Sequence, residues 1–550
     1  MKSYYFFFIF LLLNGILQSQ TLVFPENLDH LLPKISQPAF RKDTFNIVKF
    51  GAKPDGITKN TEAINNAIIA CNKVGGGVVL IPKGLWLTGP IVLKSNVNIY
   101  IEQGALLQFS DDLNDFSLIE STYEGLPAYR RQAPISAKDA ENIGITGKGI
   151  IDGAGAAWRP VKRSKLNESQ WKNLVASGGV LDAKGDTWYP SASALKGAST
   201  ENPGVMTPGK TMQDNEAIKD FLRPNMVTFT NCNKILLEGV TFQNSPAWCL
   251  HPLLSQNITL RNLIIKNPWY AQNGDGVDVE SCKNVLVEGC NFDVGDDAIC
   301  LKSGRNEYGR KRGVPTENVI IKNNIVYAAH GGIVIGSEMS GGVRNVFASH
   351  CTFVGTDIGL RFKTTHGRGG VVENIYITDM NMTNIPSEAI LFDMYYNGKE
   401  AAEALKNPKA EMKPVTEETP VFRNFYIRNI TCSGAEHGIY IQGLPEMNVQ
   451  NILIENAILQ ANQGFTCIEG SNIQLRNVKL FTKDQVLIHL QNSKHITLDG
   501  IEYLPIIDSF LNIEGKNSRN IEIKNTKLKD ETKQIHFGEG VTSTTLKVSK

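Results

Sequence analysis

The chain has 550 residues, 42% of them hydrophobic and 20% charged, which marks a core-forming globular protein and excludes a disordered one. Lys plus Arg total 56 against 55 Asp plus Glu, a formal net charge of +1, so nucleic-acid binding through bulk charge is excluded and any recognition of an anion must be local. Glycine is abundant at 49 residues but follows no G-X-Y period, which excludes collagen.

At the N-terminus, Lys2 precedes an apolar run from Tyr4 to Leu13, then a polar stretch ending near Ser19 and Gln20. A charged start, a short apolar stretch and a small-residue exit predict a secretory signal peptide over residues 1–20. A membrane anchor needs roughly 20 apolar residues, and Asn14 interrupts this run. The expectation is a secreted or periplasmic protein without a membrane segment, its mature part spanning 21–550. Residues 60–73 predict a helix: Ala63, Ile64, Ala67, Ile68 and Cys71 share one face, and Gly75-Gly76-Gly77 ends it. Such a helix would cap the N-terminal region, about 45–110.

The greater part of the chain is a repeat. Asn, then alternating apolar residues, a polar turn and a second apolar pair recur as N-K-I-L-L-E-G-V-T-F from Asn233, N-I-T-L-R-N-L-I-I from Asn257 and N-V-L-V-E-G-C-N-F from Asn284. The unit returns at Asn318, Asn345, Asn374, Asn424, Asn451 and Asn472, then at His495 and Asn520. Period-two alternation with frequent turns means short strands, and strands this short bury a core only by stacking. The pattern predicts an all-β fold, a right-handed parallel β-helix whose coils stack about 4.8 Å apart; a propeller would need longer blades. Such a solenoid, once capped, is self-sufficient as a monomer. Two stretches, about 159–222 and 393–420, leave the repeat and read as long loops of the kind that often carry function. Nine Cys, several inside strand segments and without a Cys/His metal pattern, read as buried thiols rather than a disulfide framework.

Aligning coils on their inward apolar pairs (Val277 and Val279, Ile299 and Leu301, Ile333 and Ile335, Leu360 and Phe362) places Asp275 level with Asp297, and Asp296 level with His330. Alternation points Arg361 and Lys363 outward on the fourth coil. One outward patch thus collects three carboxylates, an imidazole and two cations. Carboxylates one rung apart cannot all ionise without compensation. One kept protonated can donate to a leaving-group oxygen while ionised partners activate water, and Arg with Lys suits an anionic substrate. The segment 302–312 adds Lys302, Arg305, Arg310, Lys311 and Arg312 against Glu307, which reads as a basic rim. Aligned Asp residues on a β-helix also occur as solvated turns or Ca²⁺ ligands.

The motifs F-G-A-K-P-D-G (Phe50 to Gly56), G-G-G-V-V-L-I-P-K-G (Gly75 to Gly84) and I-T-G-K-G-I-I-D-G-A-G (Ile145 to Gly155) precede N-G-D-G-V-D, V-G-D-D-A, A-H-G-G and R-F-K, in that order. In these the chain resembles glycoside hydrolase family 28, the polygalacturonase-like pectinases. The resemblance implies inverting, metal-independent hydrolysis of α-1,4-galacturonosidic bonds without a cofactor. It makes Asp296 the general acid and gives Asp275 and Asp297 the attacking water. His330 would set the acid's protonation, and Arg361 with Lys363 would bind the galacturonate carboxylate of a pectic oligo- or polysaccharide. The stretches K-S-G-R-N-E-Y-G-R-K-R-G-V-P and G-S-E-M-S-G-G-V-R-N-V resemble the exo-acting, often bacterial, branch, and the two inserts would close one end of the groove. Rhamnogalacturonan as substrate, a calcium-dependent β-helix pectate lyase and a non-enzymatic β-helix binding protein are the alternatives.

Overall fold

The computed structural model describes residues 21–549, apart from positions 27, 29 and 397–411. The expected signal peptide and most of the second insert lie outside the described residues. Parallel strands stack coil upon coil from Thr44–Asn46 to Leu546–Ser549, each pairing with its counterpart one coil on. The β-helix, not the propeller, is the architecture.

The repeated Asn has a physical reason. From Asn257 onward these residues adopt left-handed backbone, with φ from 55° to 60° between Asn257 and Asn472, a conformation that Asn tolerates better than other side chains. Each amide also donates to the one below it: Asn257 to Asn233 at 2.9 Å, Asn318 to Asn284 at 3.1 Å, Asn451 to Asn424 at 3.0 Å and Asn472 to Asn451 at 2.9 Å. The turn and the ladder therefore select the same residue. The first unit is offset by one from the sequence alignment. Asn233 pairs with Gln256, so Lys234, at φ 57°, holds the position of Asn257.

Inside, the expected apolar pairs form continuous columns. Val277 pairs with Ile299, Ile299 with Ile333 and Ile333 with Leu360; Val279, Leu301, Ile335 and Phe362 form the next column. All eight are at most 1% exposed, each burial contributing about 1.5–3 kcal/mol before chain entropy is counted. The helix Thr61–Lys73 packs against the first strands and buries Ile64, Ala67, Ile68 and Cys71, with Ala63 at the edge of that face. All nine Cys are free and buried.

The segment 159–222 is not a loop. It folds into the helices Glu168–Ala176 and Ala192–Ala198 and a small antiparallel sheet of Val161–Lys162, Val180–Leu181 and Thr187–Tyr189. Asn167 and Gln170 close a reciprocal cap at the first helix, and Val161, Trp171 and Trp188 supply a core of its own. Those aromatic residues, sparse and without period, carry no signal at the spacing of the repeat. The end of this insert packs on a hairpin of Leu118–Tyr123 and Leu126–Arg131, through Ile218 and Leu222 against Leu118 and Tyr129 and through an Arg131–Asp220 ion pair of 2.7 Å.

Candidate active site

Four consecutive rungs of one sheet build the site: Val277–Glu280, Asp297–Lys302, Gly331–Ile335 and Ile358–Lys363. Their register is the one expected from the apolar pairs. The Gly276 amide donates to the Asp297 carbonyl, and the His330 amide to the Asp296 carbonyl, both at 2.9 Å. All six residues singled out from sequence meet here. Asp275, Asp296 and Asp297 bring one carboxylate oxygen each to within 4.8 Å of one another, closer than the roughly 6.5–9.5 Å usual between the two carboxyls of inverting glycosidases.

Their surroundings differ. Asp297 is buried and accepts from Lys363 Nζ at 2.7 Å and Arg361 Nη1 at 3.1 Å. Burial alone would raise its pKa, but these two cations outweigh it and hold the carboxyl below its ordinary value. Asp275 has no such partner. Its Oδ1 is buried without a hydrogen bond among the described residues, and burial, with the nearby Asp278, pushes it well above the carboxylate range. Asp296 is half-buried, accepting from the Asn273 amide at 3.2 Å and the Asp297 amide at 3.1 Å, with His330 Nδ1 at 3.3 Å. That imidazole has Asp357 on its other nitrogen at 3.8 Å. The hydrogen bond to Asp296, then the surrounding carboxylates, raise the His330 pKa above its ordinary value and favour the imidazolium.

Beside them lies a buried cluster to which the motifs assign no role, although Asp278 closes N-G-D-G-V-D, Lys302 opens K-S-G-R and Glu338 lies in G-S-E-M; Lys302, Glu338 and Trp248 also line the cavity above the aspartates. Lys302 reaches Asp278 at 3.3 Å and Glu338 at 3.2 Å and sits 4.1 Å over the Trp248 ring. Burial pushes Asp278 up to about 7, against the pull of Lys302. Glu280 pairs with His251 at 2.9 Å and Arg312 at 2.6 Å. Asp278 and Arg361 occupy the same column of the sheet, linked through Cys300 and Val334. The outward alternation that found Arg361 therefore also marks Asp278.

The segment 302–312 is not a free basic rim. Besides Lys302 and Arg312, Arg305 pairs with Glu124 at 3.1 Å, Arg310 with Glu418 at 3.4 Å and Lys311 with Glu307 at 2.5 Å. Most of this segment is the short helix Asn306–Arg312, of whose cations Arg312 reaches the buried cluster through Glu280 while Lys311 stays exposed beside Glu307 of the same helix.

Above the aspartates opens a cavity of about 230 Å³. Glu124, at the tip of the hairpin, lines it together with Arg305, Arg368, Lys363, Tyr396 and the three aspartates. Gly125 (φ 76°) makes that closeness feasible: a Cβ there would stand 2.6 Å from the Arg305 amide nitrogen and 2.8 Å from Gly304. Tyr123 stacks on Trp248 at 5.5 Å, with Arg130 3.7 Å over its other face. The hairpin tip thus walls the cavity on one side through Glu124, and the insert packs against the hairpin without lining the cavity itself.

Residues 162–419, which contain every one of these rungs, match the family described as Glycosyl hydrolases family 28; residues 44–178 match Rhamnogalacturonase A/epimerase, pectate lyase-like. The chain is 32% identical to a solved hyperthermoactive exopolygalacturonase from Thermotoga maritima, over 81% of this chain and 93% of that one, with a TM-score of 0.64. It is 29% identical to an exo-poly-alpha-D-galacturonosidase of Dickeya chrysanthemi, over 72% of this chain and 64% of that protein. It is also 27% identical to a probable polygalacturonase of Vitis vinifera, over 76% and 74% respectively. With three clustered aspartates, one of them held by two cations, and a relative this similar along nearly its full length, the chain belongs to family 28 of the glycoside hydrolases.

Proposed function

We propose that this enzyme hydrolyses polygalacturonate from a chain end, with inversion, releasing single galacturonate units. The observation that carries the reading is the walled cavity of about 230 Å³, in which three carboxylates lie beside Lys363 and Arg368. It is smaller than the roughly 300–1,000 Å³ of pockets for drug-sized ligands, so it suits about one sugar ring. In this mechanism Asp296 gives its proton to the leaving glycosidic oxygen. Water attacks the anomeric carbon from the opposite face, and its proton passes to Asp297, the carboxylate that Lys363 and Arg361 keep ionised. Asp275, in surroundings that favour its neutral form, orients the water. His330, whose raised pKa keeps a proton 3.3 Å from Asp296, shares that proton with it so that the pair supplies the one taken by the leaving oxygen, and Arg361 and Lys363 meet the sugar carboxylate. A calcium-dependent lyase fits less well: a divalent ion among the three carboxylates would face two cations already bound to Asp297. Export rests on the apolar run Tyr4–Leu13, and no helix among the described residues is long and apolar enough to cross a membrane.

Chain-end cleavage depends on the wall. Gly125→Ala forces the hairpin tip off the Gly304–Arg305 backbone, and misplacement near 1 Å costs on the order of 10²-fold. The expected result is a loss of about that size in kcat/KM on digalacturonate, with larger oligomers appearing among the products of long chains. An unchanged product pattern would separate chain-end cleavage from the hairpin.

A further inference from the structure

The two cations that the sequence assigns to a sugar carboxylate, Arg361 and Lys363, are both engaged by Asp297. Galacturonan carries a carboxylate on every residue, so the two sugars flanking the cut bond bring two carboxylates into one half-buried space. Each needs a compensating charge there. A second cationic locus stands on the hairpin side of the cavity.

Arg305 and Arg368 arrive from different loops and line the same wall. Arg305 gives only Nη1 to Glu124, at 3.1 Å; its Nε is buried with no hydrogen-bond partner among the described residues. Arg368 is locked from behind: its Nε donates to the Ser337 carbonyl at 3.2 Å, and Nη1 donates to Asn306. Glu338 stands 3.9 Å away. Burial, opposed by Glu338 and reinforced by the like charge of Arg305, lowers the Arg368 pKa. Arg368 spends its third donor, Nη2, on the Ser337 hydroxyl at 3.4 Å, whereas Arg305 holds Glu124 through Nη1 alone and lines the cavity, and the guanidinium fork matches a carboxylate. Glu124 already shows a carboxylate seated on Arg305.

Resting on the reading above, we infer that Arg305 and Arg368 bind the carboxylate of the terminal, non-reducing sugar. Glu124 holds Arg305 in place by one of its donors until that sugar arrives. The pocket then selects a uronate at the chain end as well as beside the cut.

The test compares digalacturonate with its analogue in which the non-reducing sugar is galactose. The wild-type enzyme should prefer the uronate by about 10²-fold in kcat/KM, the value of a buried charge-assisted pair. Arg305→Gln should bring that preference to within about 5-fold, mainly through KM, with the unfolding midpoint unchanged. Full preference in the variant, or none in the wild type, would overturn the inference. If the variant does not fold, inhibition of the unaltered enzyme decides: D-galacturonate should inhibit about 10²-fold more tightly than D-galactose, and equal inhibition would overturn the assignment. An enzyme that cleaves neither disaccharide nor polygalacturonate fails the proposed function itself, a distinct outcome from loss of the end preference alone.

Discussion

Asp296→Asn should lower kcat on polygalacturonate by about 10³–10⁴-fold, the range of a general acid removed from a positioned site, and leave the fold intact. Asp296 now accepts from the Asn273 amide through Oδ2 and from the Asp297 amide through Oδ1; asparagine keeps one of these two acceptors, and the side chain is 23% exposed, at the mouth rather than in the core. What is lost is the proton for the leaving oxygen. The unfolding midpoint should stay within the small range of ordinary surface substitutions. A variant with near wild-type kcat would remove Asp296 from the mechanism.

The same change one residue on should behave differently. Asp297→Asn removes the base, so activity again falls by orders of magnitude, but it also leaves Lys363 and Arg361 without the carboxylate that compensates them in the interior. Breaking one side of a buried ion pair costs about 3–5 kcal/mol, so this variant should also unfold earlier in denaturant. The pH dependence has a definite sign. Asp297 has a folded pKa below its ordinary 3.8, so its contribution to stability is complete above that value and is lost as pH falls through the lower folded one. The stability gap between wild type and variant should therefore be full near neutrality and narrow below about 3.8. Equal stability of the two proteins at neutral pH would mean that the cations find other partners.

Inward apolar pairs separated by one residue make the register of four coils legible, because a shift of a single residue would turn every valine and isoleucine outward. That register brings Asp275, Asp296, Asp297, His330, Arg361 and Lys363 to one face without any knowledge of contacts. It holds more than those six: the outward positions between and after the pairs carry Asp278, Glu280 and Lys302 on earlier coils, and all three belong to the buried cluster beside the site. The slip at Asn233 has the opposite origin. Two candidates for the turn, Asn233 and Lys234, stand side by side, and only strand pairing decides between them.

Glu124, Arg368 and Tyr396 were not legible, since each comes from a segment outside the repeat and meets the aspartates only through the fold. Apart from Lys311 with Glu307, four residues away, the ion pairs of residues 302–312 were hidden for the same reason: acids such as Glu124, Glu280 and Glu418 are distant in sequence. Local charge counts cannot see a partner from another coil.

The most direct measurement is a time course of products from polygalacturonate, resolved by size and read for ultraviolet absorbance. Saturated galacturonate monomer from the earliest time point, with a slow fall in viscosity, is the expected result. Mid-sized oligomers appearing first, or products absorbing through a new double bond, would contradict chain-end hydrolysis at this site.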